Sequence, residues 1–386
     1  MRKFLLPLAT AGLIAGMGAA AAETPGVSAD RIILGQSAAF GGPAAALGTG
    51  MHQGLMAAFK EVNDAGGVHG RQLEVRQMDD GYEPDRSIAN TRQLIEQDKV
   101  FALIGAVGTP TSKATQPIAT EAGVPYIGPF TGAGFLRDPA NSNVINVRAT
   151  YDQETETWIK HLTEDLGIKK IAILYQDDGF GRVGLSGVNK ALEARGMSLV
   201  AEGTYKRNTV AVKSALLEIR KSEPEAIVMV GAYKPLAEFI KLSRKLKMDP
   251  VFVTISFVGS NALAEELGDQ GNGVVVSQVV PFPTDVSIPL VAAYQKALTA
   301  YDAALEPGFV SLEGYMVGRL TIMALEKAGT ELSRENFLSS VYGTGVFDLG
   351  GATLNYGVGD NQGMDNVFLT VIQPDGSFKA VETLTR

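Results

Sequence analysis

Two stretches of this sequence bring together residue types able to hold a small ligand. In the first, Gly105-Ala106-Val107-Gly108-Thr109-Pro110 follows an apolar run at 101–104 and leads into a helical pattern at 111–121. Thr109 suits an N-cap and Pro110 a first helical residue. A helix N-terminus carries free amide donors and the positive end of the helix dipole, which together suit one carboxylate. A simple capping role for Thr109 is compatible with that chemistry, because one cap leaves other N–H groups free. The second stretch, YIGPFTGAGFLRDP at 126–139, places an aromatic, a hydroxyl and two glycines within Phe130-Thr131-Gly132-Ala133-Gly134. Glycine this dense at a strand end permits close approach of the backbone. Both stretches fall at carboxyl ends of expected strands, where open α/β sheets bind ligands. They should therefore face one crevice.

Other chemistries find less support. There is no G-x-x-x-x-G-K-[ST] phosphate loop, and Gly35 is followed by Gln36-Ser37-Ala38-Ala39-Phe40-Gly41-Gly42, which does not match G-x-G-x-x-G. Gly132-Ala133-Gly134 lacks the third glycine of that fingerprint. His52, His69 and His161 are scattered. Asp79-Asp80 and Asp177-Asp178 each follow an expected strand, where carboxylates commonly cap the next loop or helix rather than bind metal. No cysteine is present and no G-x-S-x-G elbow occurs, so neither a thiol nor a serine nucleophile is supplied. No cofactor is expected and no enzyme is indicated.

The elements that must position these stretches read as alternating strands and helices. Expected strands lie at 31–35, 73–78, 101–104, 125–127, 171–175, 199–205, 226–230 and 251–253. Expected helices lie at 49–64, 86–98, 111–121, 181–195 and 235–247, and Val212, Leu216 and Ile219 share one face of another. Such alternation implies parallel sheets covered on both faces. The rhythm breaks near 147–150 and resumes, implying two doubly wound lobes. The tail differs: 368–372, a Pro374-Asp375-Gly376-Ser377 turn and Phe378 read as a β-hairpin.

Composition bounds the partners. Residues 1–22 carry Arg2 and Lys3, an apolar stretch and Ala20-Ala21-Ala22, the pattern of a cleavable signal peptide. Without cysteine there is no lipoprotein anchor, so a Gram-negative periplasm is the expected location. The chain has 42 acidic and 34 basic residues, a formal net charge of −8, and no basic cluster to track phosphates. Nucleic acid is a poor partner for it. A mature length of about 360 residues exceeds the ~250–300 at which single cores stop growing, which again implies two domains.

Four segments carry a resemblance: EVNDAGGVHGRQLEV at 61–75, DDGYEPDRSIANTRQLI at 79–95, GAVGTPTSKATQPIATEAGVPYIGP at 105–129 and IAILYQDDGFGRVGL at 171–185. In order and spacing they resemble the type I periplasmic solute-binding proteins of ABC importers, in the leucine/isoleucine/valine-binding branch. The resemblance implies a monomeric two-lobe clamp crossed near Arg148, Val280 and Phe347, with one lobe at 29–147 plus 281–346 and the other at 148–280 plus 347–386. It implies capture of a small carboxylate-bearing solute and docking on an inner-membrane permease. A periplasmic sensor subunit with the same clamp is the alternative.

Residue by residue, the resemblance puts the carboxylate-holding hydroxyl at Thr109 and the ligand-facing turn at Phe130, Thr131 and Gly132. It puts aromatic contacts at Phe180 and Tyr233. Phe40 and Phe257 complete an aromatic-rich cleft. Two departures stand out. The branch often has a disulfide between the loops near Tyr82 and Gly108, and both cysteines are missing here. Amino-acid binders of the branch usually place a carboxylate, for the ligand's ammonium, where this chain has Ser256. A buried ammonium without a counter-charge is costly. The expected solute is therefore an apolar or aromatic acid without an amine, unless Asp177 or Asp178 supplies the charge to a branched-chain amino acid.

Overall fold

The computed structural model describes residues 24–385, so the expected signal peptide at 1–22 lies outside the described residues. In chain order the first lobe begins with β1 (Arg31–Ala38), α1 (Ala45–Asp64), β2 (Gln72–Asp79), α2 (Pro84–Arg92), β3 (Ala102–Ile104), α3 (Thr109–Glu121), β4 (Tyr126–Ile127) and β5 (Val144–Ile145). Its sheet runs β2-β1-β3-β4-β5, all parallel. The second lobe contains α4 (Tyr151–Glu164), β6 (Ile171–Gln176), α5 (Gly179–Glu193), β7 (Ala201–Tyr205), α6 (Lys213–Arg220), β8 (Ala226–Val230), α7 (Tyr233–Lys245), β9 (Val251–Thr254), α8 (Ser260–Leu267) and β10 (Val275–Gln278). The chain then returns with α9 (Pro289–Tyr301), α10 (Phe309–Ala328) and α11 (Arg334–Thr344), makes a small β11–β12 ribbon (Val346–Asp348, Thr353–Asn355), and ends in β13 (Phe368–Ile372) and β14 (Phe378–Val381).

The seven-stranded second sheet runs β14-β13-β10-β9-β8-β6-β7. Its central strands β6 and β8 are buried at every position, as continuous apolar runs covered on both faces must be, whereas edge strand β7 alternates. The tail hairpin adds antiparallel to β10, as the turn at 374–377 predicts. The expected helix at 86–98 is α2 followed by one π-helical turn, Gln93–Gln97.

Helix α10 lies along α1 at a distance only glycine permits. A Cβ at Gly54 would sit 1.8 Å from the Ser311 carbonyl oxygen, and one at Gly314 would sit 2.2 Å from that of Met51. This contact ties the returning helices to the first lobe. Elsewhere, Asp178 caps α5 by accepting the Phe180 N–H at 2.9 Å, and a reciprocal Thr150–Gln153 capping box starts α4.

Candidate functional site

The two lobes meet through aromatic rings. Phe130 and Tyr82 of the first lobe contact Phe257 of the second, with centroids 5.4 and 5.9 Å apart. Phe257 in turn touches Phe180 at 4.7 Å, and Phe180 touches Tyr151 at 5.5 Å. All five are buried. A solute can enter between them only if the lobes part.

The hydroxyl site differs from the expected cap. Gly108, not Thr109, is the N-cap of α3; its φ of 101° favours glycine, and no side chain caps the helix. Thr109 is thereby the first helical residue and Pro110 the second. Released from capping, the Thr109 hydroxyl bonds that of Thr131 at 2.7 Å, both buried. The two expected stretches do converge. Gly108 also answers the missing disulfide: a Cβ there would lie 2.2 Å from Tyr82 Cε2, so the two loops are held together by a ring seated on a glycine.

Gly132 is placed differently from the hydroxyls. A Cβ on it would meet the Tyr151 nitrogen at 2.8 Å, and its carbonyl accepts the Tyr151 N–H at 2.9 Å, so its freedom from a side chain lets the turn press against the first crossing between lobes. Arg137 holds the same turn from behind. It donates to the carbonyls of Thr131, Ala133 and Arg148 and to Gln362. Burial pushes its pKa down to about 9, with neighbouring Arg148 adding to the effect, and it stays charged at neutral pH. Tyr233 begins α7 and accepts the Ala46 N–H across the lobes at 3.3 Å. Phe40 stands apart from the ring cluster, edge-on to His52 at 5.6 Å.

Behind Ser256 lies a charge cluster absent from the sequence-level expectations. Ser256 donates through both its N–H (2.9 Å) and its hydroxyl (2.8 Å) to the carboxylate of Glu154, which also accepts from Ser277. Arg148 bonds the Ser256 hydroxyl through Nη2, stacks with its Cζ 4.6 Å from the Phe130 centroid, and places Nε 3.4 Å from Glu313. Burial raises the Glu154 pKa, opposed by Arg148 and its serine donors. Burial also pushes Glu313 up to about 7, again opposed by Arg148. Ser256 therefore does not leave the region without a carboxylate; the acid comes from α4 instead of the strand end. A signal for these residues exists: Glu154 shares the apolar face of α4 with Tyr151 and Trp158, and Glu313 lies in an otherwise apolar stretch of α10.

The two acids proposed as substitutes are engaged elsewhere. Asp177 pairs with Arg182 at the surface. Asp178 caps α5 and receives Gln176 and Arg207. Arg207 also reaches across the cleft mouth to Glu83 at 2.8 Å, and neighbouring Asn208 bonds the Gly81 carbonyl and Glu83. This partly exposed latch should contribute roughly 1 kcal/mol or less to closure. We expect 1 M salt, which shortens the screening length to about 3 Å, to shift the protein toward an expanded form. Arg207→Ala should show that form already at low salt, with little further response. Small-angle scattering measures both; a salt-insensitive radius in the unmodified protein would count against the latch.

The family described as periplasmic binding proteins matches residues 32–377. The crystal structure of a "possible leucine/isoleucine/valine-binding protein" from Rhodopirellula baltica is 37% identical, covers 95% of this chain and 100% of its own, and superimposes with a TM-score of 0.89. Leu/Ile/Val-binding protein homolog 7 of Brucella suis is 26% identical over 260 residues, 61% of this chain. The chain spans 63% of that relative's length. A leucine-, isoleucine-, valine-, threonine- and alanine-binding protein of Pseudomonas aeruginosa is 22% identical over 351 residues, covering 89% of this chain and 93% of the relative.

Proposed function

Because this chain belongs to the periplasmic binding protein family, in its leucine/isoleucine/valine-binding branch, we propose that it is the solute-capturing subunit of an ABC importer. The family and fold are those of substrate-binding proteins, not enzymes. Among the described residues no helix is long and apolar enough to cross a membrane. In this reading the protein is exported, works as a monomer in the periplasm, closes on one small apolar carboxylate, and presents the closed form to a membrane permease.

One arrangement carries the reading. The uncapped N-terminus of α3, with the Thr109–Thr131 hydroxyl pair, opens beside a box of rings contributed by both lobes. The helix end and hydroxyls suit a carboxylate, the rings suit an apolar body, and both halves of the box are complete only when the lobes close. Asp177 and Asp178 are engaged elsewhere, Glu154 is taken up by Ser256 and Ser277, and Glu313 faces Arg148, so each nearby carboxylate already has a partner, which favours an acid without an amine over a branched-chain amino acid.

Titration calorimetry with branched-chain and aromatic acids and with leucine tests this. Thr109→Ala should lose a charge-assisted hydrogen bond, about 1.5–3 kcal/mol of binding. Thr109→Ser should retain most of it. Since Thr109 is not the cap, the melting temperature of the alanine variant should barely move. A lowered melting temperature with unchanged affinity would reverse the assignment of its role.

A further inference from the structure

We infer that Arg148 grips the solute's carboxylate and that Glu313 takes up a proton as it does so. This rests on the proposal that the cleft takes a small apolar acid. Arg148 is 1% exposed and sits against Phe130 and Ser256, between the lobes. Among the described residues only its Nη2 has a hydrogen-bond partner; Nη1 has none, and Nε has the Glu313 ion-pair contact alone. Buried charged donors are rarely left unpaired, because the desolvation penalty is then uncompensated. Nη1 and the remaining Nη2 hydrogen form the end-on fork that matches a carboxylate. Tyr151 adds another buried hydroxyl without a hydrogen-bond partner, with Arg148 and Thr131 as the neighbours that oppose the rise of its pKa on burial.

Arg137 provides an internal contrast. It is a half-buried arginine eleven residues earlier whose Nε, Nη1 and Nη2 all have acceptors, as a purely structural role demands. Arg148 lacks that completeness at Nε and Nη1.

Charge balance gives Glu313 its part. Arg148 and Arg137 oppose Glu154 and Glu313, so a bound monoanion leaves one negative charge in excess. Glu154 accepts from Ser256 and Ser277, donors that favour its charged form against the burial that raises its pKa. Among the described residues Glu313 is paired only with the Nε of Arg148, and burial has already pushed its pKa up to about 7. The charged groups acting on it are Arg148 at the first crossing, Glu154 on α4 and Arg137 after the turn. On the helices packed against α10, His52 of α1 is bound to Gln36, and Tyr294 of α9 is bound to Ser311. An incoming carboxylate raises the Glu313 pKa further. Affinity is therefore full at and below about pH 7 and falls above it, by at most about tenfold per pH unit for one linked proton.

Calorimetry of the wild-type chain, Arg148→Lys and Glu313→Gln, with isocaproate and hydrocinnamate against leucine and phenylalanine, decides this at about pH 6 and about pH 8.5. Thermal melts establish that each variant folds. The wild type should bind an acid more tightly at the lower pH and prefer it to its amino counterpart. Arg148→Lys, which keeps the charge but not the fork, should bind at least about tenfold more weakly. Glu313→Gln should bind the acid with little pH dependence. Equal binding by a folded Arg148→Lys overturns the role of Arg148, and unchanged pH dependence in Glu313→Gln overturns that of Glu313. If Arg148→Lys does not fold, the pH response of Glu313→Gln decides alone. Preference for leucine or phenylalanine overturns the underlying reading of an acid without an amine, and failure of the wild type to bind any of the four overturns the underlying reading of a small apolar carboxylate.

Discussion

Glu154→Ala should destabilise the protein by about 3–5 kcal/mol, because it leaves three buried donors without their acceptor at about 1–3 kcal/mol each. The variant strips the acceptor from the Ser256 N–H, the Ser256 hydroxyl and the Ser277 hydroxyl at once. It also removes a counter-charge that acts on Arg148, which cannot shed its proton. The loss falls where α4, the end of β9 and β10 meet, so it should loosen the second lobe at its cleft edge. Urea denaturation followed by circular dichroism measures the effect. A second comparison separates charge from packing. Arg148→Met combined with Glu313→Leu should be less destabilising than Arg148→Met alone, since paired apolar replacements of a buried ion pair are often neutral or better. The double variant should nonetheless fail to hold an acid. A loss from Glu154→Ala below about 1 kcal/mol would show that this cluster does not anchor the lobe.

Gly54→Leu should be at least as damaging, by a different route. The new Cβ would stand 1.8 Å from the Ser311 carbonyl oxygen and 2.6 Å from the Tyr315 nitrogen. These are backbone atoms of α10 and cannot rotate away. The helices must separate along the seam that Gly314 makes from the other side, where its Cβ would meet Met51. Overpacking ordinarily costs about 1–3 kcal/mol, and a clash with helix backbone belongs at or beyond the top of that range. We expect Gly54→Leu to accumulate poorly and to melt well below the parent. Gly343→Ala in α11 is the control: its Cβ meets nothing within 4 Å and its φ is not positive, so it should be neutral or stabilise by about 0.5–1 kcal/mol. Equal melting temperatures for the two variants would refute the seam.

The proposed proton uptake bears on the setting in which such a clamp works. Binding that is strongest at or below neutral pH favours capture where the medium is acidic. The same linkage leaves release unassisted by acid, so opening of the lobes must provide it.

The amino-acid sequence by itself determined the alternating elements, the two lobes, the carboxyl-end crevice and the pairing of the Thr109 stretch with the Phe130-Thr131 turn. Periodicity, glycine and proline placement are local properties, and parallel sheets admit few ways to connect such elements. It also placed Phe180 and Phe257 in one aromatic cleft with Phe130, and the rings do touch. Only the tertiary structure decided which atoms face one another. Thr109 moved from cap to hydrogen-bond partner of Thr131 because Gly108, whose φ of 101° favours glycine, takes the cap position. Tyr82 replaced a disulfide because Gly108 leaves room for its ring. Ser256, which reads as a missing carboxylate, turned out to be bonded to one, because α4 delivers Glu154 from beyond the first crossing. Arg148, Glu154, Ser256 and Glu313 come from four segments with no common spacing. Their meeting depends on how the lobes close, a long-range property that no window of sequence contains.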